Sequence, residues 1–112
     1  MTTSESPFAC DMSAIAAADR PKHLATIEAL FSIVQEVTEL PNGYRFRLPG
    51  ESQVWTLASN FVALESRCCP FFDFSLAVER DHGPISLTLT GREGVKSFII
   101  EEIGQHLRKI AQ

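Results

Sequence analysis

The feature that most constrains this chain is a hydrophobic period that changes from two to about 3.6 residues, and does so twice. Alternation of apolar and polar residues puts one side of a strand into a core, and recurrence every three to four residues does the same for one stripe of a helix. In the first block β-branched residues accumulate between Val34 and Leu40, Pro41, Asn42 and Gly43 supply a turn, and Tyr44 to Leu48 alternate. In the second, Phe72, Phe74, Leu76 and Val78 alternate with Asp73, Ser75, Ala77 and Glu79. A turn at Asp81 to Pro84 follows, and Ile85, Leu87 and Leu89 then alternate with Ser86 and Thr88. Each block reads as a hairpin with one buried face.

Three amphipathic helices surround these hairpins. The first is expected to start at Asp19 as N-cap with Pro21 in its first turn, and to bury Leu24, Ile27, Leu30, Phe31 and Val34. The second follows the break at Pro49 and Gly50, with Ser52 as cap, and carries Val54, Leu57, Ala58, Phe61, Leu64 and Cys68 on one stripe until Pro70 ends it. Thr90 to Glu93 has the form of a capping box ahead of a third helix built on Val95, Ile99, Ile103, Leu107 and Ile110.

The predicted fold is an α+β two-layer sandwich in the order α-β-β-α-β-β-α, with a four-stranded, largely antiparallel sheet carrying its helices on the apolar face. Residues 1–12 read as a flexible arm and 13–112 as one domain. The two ββα units superpose at a shift of about 40 residues, pairing Glu39 with Glu79, Gly43 with Gly83, Gly50 with Gly91 and Val54 with Val95, too few matches to establish duplication. The polar sheet face, with Arg45, Arg47, Asp73 and Glu79, is expected to be solvated or to meet a partner.

Composition narrows the function. Hydrophobic residues at 45% and charged residues at 21% describe a globular chain and exclude a disordered one. A formal net charge of −4 with no basic cluster argues against nucleic-acid binding. Apolar runs fall far short of the roughly 20 residues of a membrane helix, and Met1 to Pro7 has no export signal. The 3 cysteines, an odd number, make a disulfide framework improbable, and a reducing cytoplasm is the expected compartment. No Gly-rich phosphate loop, nucleophile elbow or zinc-protease motif is present, so nucleotide, flavin and common hydrolase chemistry have no signal, and no catalytic residue is assigned.

The informative stretch is Glu65 to Phe72, which reads E-S-R-C-C-P-F-F. With Val54 at zero and about 100° per residue, Glu65 falls at about 20°, inside the apolar stripe, with Cys68 and Cys69 on the same side. A carboxylate on a core-facing line must be hydrogen-bonded, paired, protonated or bound to a metal. Two thiolates and a carboxylate suit a soft or borderline ion such as zinc, copper or a heavy metal, and Cys10 on the arm offers a further ligand. The metal-site candidates are therefore Cys10, Glu65, Cys68 and Cys69. Two other readings stay open, core cysteines without chemistry and a reactive thiol. Adjacent cysteines bind one ion under strain, paired C-x-x-C hooks are missing, and no base for a thiol enzyme stands out. His23, His82 and His106 lack hook spacing and read as surface or satisfied histidines.

Cys10-Asp11-Met12, the E-x-x-C-C-P-F string at Glu65 to Phe71, and Leu89-Thr90-Gly91 with Glu93 to Lys96 together resemble a family of small uncharacterised bacterial proteins over nearly the whole chain. The resemblance implies no reaction; it implies that the three cysteines and Glu65 form the recognisable pattern. The resulting expectation is soft-metal binding by thiolates, against an interaction or self-association module using Phe71, Phe72 and the polar sheet face, as a homodimer or with a protein partner, or a thiol-dependent enzyme.

Overall fold

The computed structural model describes residues 8–107. Three helices, α1 (Arg20–Ser32), α2 (Ser52–Cys68) and α3 (Val95–Ile103), and four strands, β1 (Glu36–Leu40), β2 (Gly43–Leu48), β3 (Asp73–Val78) and β4 (Ile85–Thr90), follow the expected order. The sheet is antiparallel throughout, in the order β1-β2-β4-β3. The second strands of the two hairpins are thus its central pair. The first hairpin turns on Pro41 and Asn42 alone, whereas six residues from Glu79 to Pro84 join β3 to β4. No single shift therefore superposes the two units, and Gly43 stands in a strand while Gly83 stands in a loop.

Alternation sets the two sheet faces. Phe46 and Leu48 on β2 and Ile85, Leu87 and Leu89 on β4 are buried, while Arg45 and Arg47 point outward and are exposed. The helices cover the apolar face. Phe31 of α1 meets Phe46 and Phe61 edge to face, each with centroids 5.2 Å apart, which joins α1, β2 and α2 by contacts worth about 1 kcal/mol apiece beyond their buried area. Gly43 is required where β2 meets β4, since a Cβ there would stand 1.9 Å from the Leu89 carbonyl oxygen.

Helix starts differ from expectation, each for a local reason. A 3-10 turn, Ala17–Asp19, runs straight into α1, so Asp19 has helical backbone and its side chain caps nothing. The extended residue before α2 is Glu51, which leaves Ser52 as the first helical residue rather than the cap. Thr90 pairs with both Gly43 and Asp73 as the last residue of β4, so the capping box does not form. The N-cap of α3 is Gly94, with left-handed backbone at φ 99°. In α1 the buried residues are His23, Leu30 and Phe31, and Leu24 is exposed. Of the third helix's expected stripe, Leu107 lies beyond the helix and Ile110 lies outside the described residues.

Candidate metal centre

The candidate residues meet at the C-terminal end of α2, where the N-terminal segment crosses over it. Within the stretch read as an arm, residues 8–12 are held at several points. Phe8 packs on Phe71 with centroids 5.2 Å apart, and the Arg92 guanidinium lies 4.1 Å from the Phe8 ring centroid. The Asp11 N–H donates to the Cys68 carbonyl at 2.8 Å, satisfying one of the acceptors a helix end leaves open. Arg20 Nε donates to the carbonyls of Met12 and Ile15 at 2.9 and 3.0 Å. Cys10 is thereby carried to the helix end. Phe71 and Phe72, expected as a candidate association surface, are buried in the same aromatic cluster.

Glu65 is buried, as its place on the apolar stripe requires, and its partner is His23, whose Nε2 lies 2.7 Å from Glu65 Oε1. With its proton on Nε2 the imidazole donates to the carboxylate. Nδ1 is then a bare acceptor, buried without a hydrogen-bond partner, while the ring stacks on Phe61. Sequence reasoning missed this pairing. The signal was available, because His23 stands four residues before Ile27 and seven before Leu30, nearer the middle of the α1 stripe than Leu24 does.

Cys68 is buried on the next turn of α2, with Sγ 3.6 Å from Glu65 Oε1 and 3.7 Å from the Cys69 sulfur. Burial first, then the negative charge and hydrogen bond of Glu65, push the Cys68 thiol from 9.0 up to about 12, so it is held as S–H. Cys69 follows the last helical residue, at φ −128° and ψ 68°. That departure from helical backbone brings its sulfur back beside Cys68 instead of about 100° around the helix.

One expectation is overturned. Cys10 and Cys69 form a disulfide, with Cα atoms 4.9 Å apart, although the odd number of cysteines had made disulfides improbable. Only the adjacent Cys68 and Cys69 were close in sequence; the fold brings Cys10 across a separation of 59 residues, leaving Cys68 as the free thiol. An odd cysteine number therefore says nothing for a reducing compartment here. Among the described residues no helix is long and apolar enough to cross a membrane.

One ligand atom each from Cys10, Glu65, Cys68 and Cys69 lie within 4.8 Å of one another. Beside them is a cavity of about 210 Å³, lined among others by Cys10, Met12, Leu24, Glu65, Cys68 and His106. His82, by contrast, lines a larger hollow of about 460 Å³ at the other end of α2 with Trp55 and Val78, which contains no cysteine. No protein-family model matches the chain, and no curated protein or solved structure is significantly similar to it.

Proposed function

We propose that the reduced protein binds one soft or borderline metal ion, of the zinc, cuprous copper or heavy-metal class, through Cys10, Cys68 and Cys69, with Glu65 as the fourth ligand or as the carboxylate that orients the sulfurs. The observation that carries this reading is a spacing. Two sulfurs bound at about 2.3 Å to a tetrahedral ion lie about 3.8 Å apart, and the Cys68 and Cys69 sulfurs already stand 3.7 Å apart with Cys69 in its disulfide to Cys10. The Glu65 oxygen completes a third corner at 3.6 Å from Cys68.

Each residue has a separable task. The helix end fixes Cys68 and Cys69, and the N-terminal segment brings Cys10 as the closing ligand. His23 fixes the carboxylate through the same oxygen, Oε1, that stands beside Cys68, in the way that ligating carboxylates are commonly hydrogen-bonded in turn. Binding displaces the Cys68 proton, so uptake releases acid and strengthens with pH. The motif through which the chain resembles a bacterial family contains all four residues, and a thiol-reducing cytoplasm is the compartment in which the set would be competent.

The test is elemental analysis and metal titration of protein purified without a metal-affinity tag and reduced with a phosphine. One equivalent is expected for the wild type, and none when Cys68 and Cys69 are both replaced by serine. Equal, negligible uptake of zinc, copper and mercury by the two proteins overturns the proposal.

A further inference from the structure

We propose that the Cys10–Cys69 disulfide is a reversible lock on this centre, opened by a small uncharged or cationic thiol that enters the adjoining cavity and attacks the Cys10 sulfur. The two sulfurs differ in access. Cys10 is exposed and lines the cavity, whereas Cys69 is 0% exposed and does not line it. At about 210 Å³ the space equals about seven liquid-water volumes of roughly 30 Å³ each, enough for a thiol the size of 2-mercaptoethanol. Glu65 and Glu102 line it, with His106 as the basic residue on its wall. An anionic thiol would therefore meet acidic side chains on entry.

The chemistry balances with two equivalents of thiol. The first thiolate forms a bond to Cys10 Sγ as the Cys10–Cys69 bond breaks, and the electron pair leaves on Cys69 Sγ. Cys68 Sγ is 3.7 Å from that sulfur, so its S–H can turn from Glu65 to the leaving thiolate. The second thiolate attacks the outer sulfur of the mixed disulfide, frees Cys10 and departs as the small-molecule disulfide. Two thiols are oxidised and one protein disulfide is reduced. The protons of the two thiols end on Cys10 and Cys69, or in solvent once a metal binds.

The effect of the lock on metal uptake rests on the proposed metal site, whereas the thiol reaction does not. Oxidised full-length protein is exposed to 2-mercaptoethanol, quenched with acid, alkylated with a maleimide and mapped by mass spectrometry while circular dichroism follows the fold. The expected trapped species carries the small thiol on Cys10 and maleimide on Cys69, with the fold kept, and cysteamine opens the lock several-fold faster than mercaptoethanesulfonate at equal thiolate concentration. The Glu102→Gln variant narrows that difference. Adduct on Cys69 in place of Cys10, or reduction only where the protein unfolds, overturns the lock. In the metal arm, reduced protein takes up one equivalent of zinc and oxidised protein none. One equivalent of zinc in both forms overturns the lock, while a lock that cycles in a protein taking up no zinc in either state overturns the metal reading alone.

Discussion

Glu65 is the residue on which the site turns, because it faces a histidine on one side and a thiol on the other. Its burial is tolerable only with His23 in place, and leaving a buried acceptor without its donor generally costs about 1 to 3 kcal/mol, more when the acceptor is charged. His23→Phe should therefore destabilise the metal-free protein by that order in urea denaturation. Adding Glu65→Leu should restore most of the loss; a double variant no more stable than His23→Phe would show that the pair does not account for it. The same carboxylate governs Cys68. Because the folded thiol is pushed from 9.0 up to about 12, the folded state binds more protons than the unfolded state between those values. This contribution to stability is complete below about pH 9 and is lost as pH rises toward about 12. Glu65→Gln keeps the size and an acceptor for His23 but removes the charge, so Cys68 should alkylate faster in the variant at one mildly alkaline pH. Equal rates would separate Cys68 from Glu65. Glu65 was legible as a buried carboxylate from its helical phase alone, whereas His23 was hidden by Leu24, an apolar neighbour that fits the same spacing.

At the scale of elements, what could be read from the chain was periodicity, and what could not was where each helix begins. Alternation in Tyr44 to Leu48 and Ile85 to Leu89 required one buried face, and that requirement survives into the sheet. Caps depend on the conformation of a single residue, which tertiary pairing overrides. Thr90 is spent on two strand partners, and Gly94 takes the cap of α3 because the chain must pass φ 99° there against Phe8. A Cβ at Gly94 would lie 2.8 Å from Phe8 Cε2 in addition to the backbone strain. Gly94→Ala should cost about 1 to 3 kcal/mol in denaturant unfolding. Gly104→Ala is the control: its backbone is already helical, the nearest side-chain atom would be 3.9 Å away, and the change should be neutral or slightly stabilising. Equal losses at the two positions would contradict this account of the α3 start. Cys10 was offered from sequence as a ligand on a loose arm, but what holds it at the helix end could not be read there, since the packing of Phe8 on Phe71 is invisible until the sheet and α3 are assembled.

For the molecule as a whole, the disulfide joins the N-terminal segment to the middle of the chain across 59 residues. Closing a loop of that length restricts the unfolded chain by about 4 kcal/mol in the chain-entropy description, against a total stability of about 5 to 15 kcal/mol for a domain of ordinary size. Oxidised wild type should exceed Cys10→Ser by up to that amount, and the difference should vanish when both are reduced without metal. Persistence of the full gap between the reduced proteins would mean that Cys10 stabilises by packing. A metal bridging the same residues restores the link in the reduced state, so zinc should raise the unfolding midpoint of reduced wild type and leave the variant with Cys68 and Cys69 replaced by serine unchanged. The most direct measurement is X-ray absorption at the zinc edge on the reduced, zinc-loaded protein. Three sulfur neighbours at about 2.3 Å and one lighter ligand at about 2.0 Å are expected; a shell of oxygen and nitrogen alone would rule out thiolate binding.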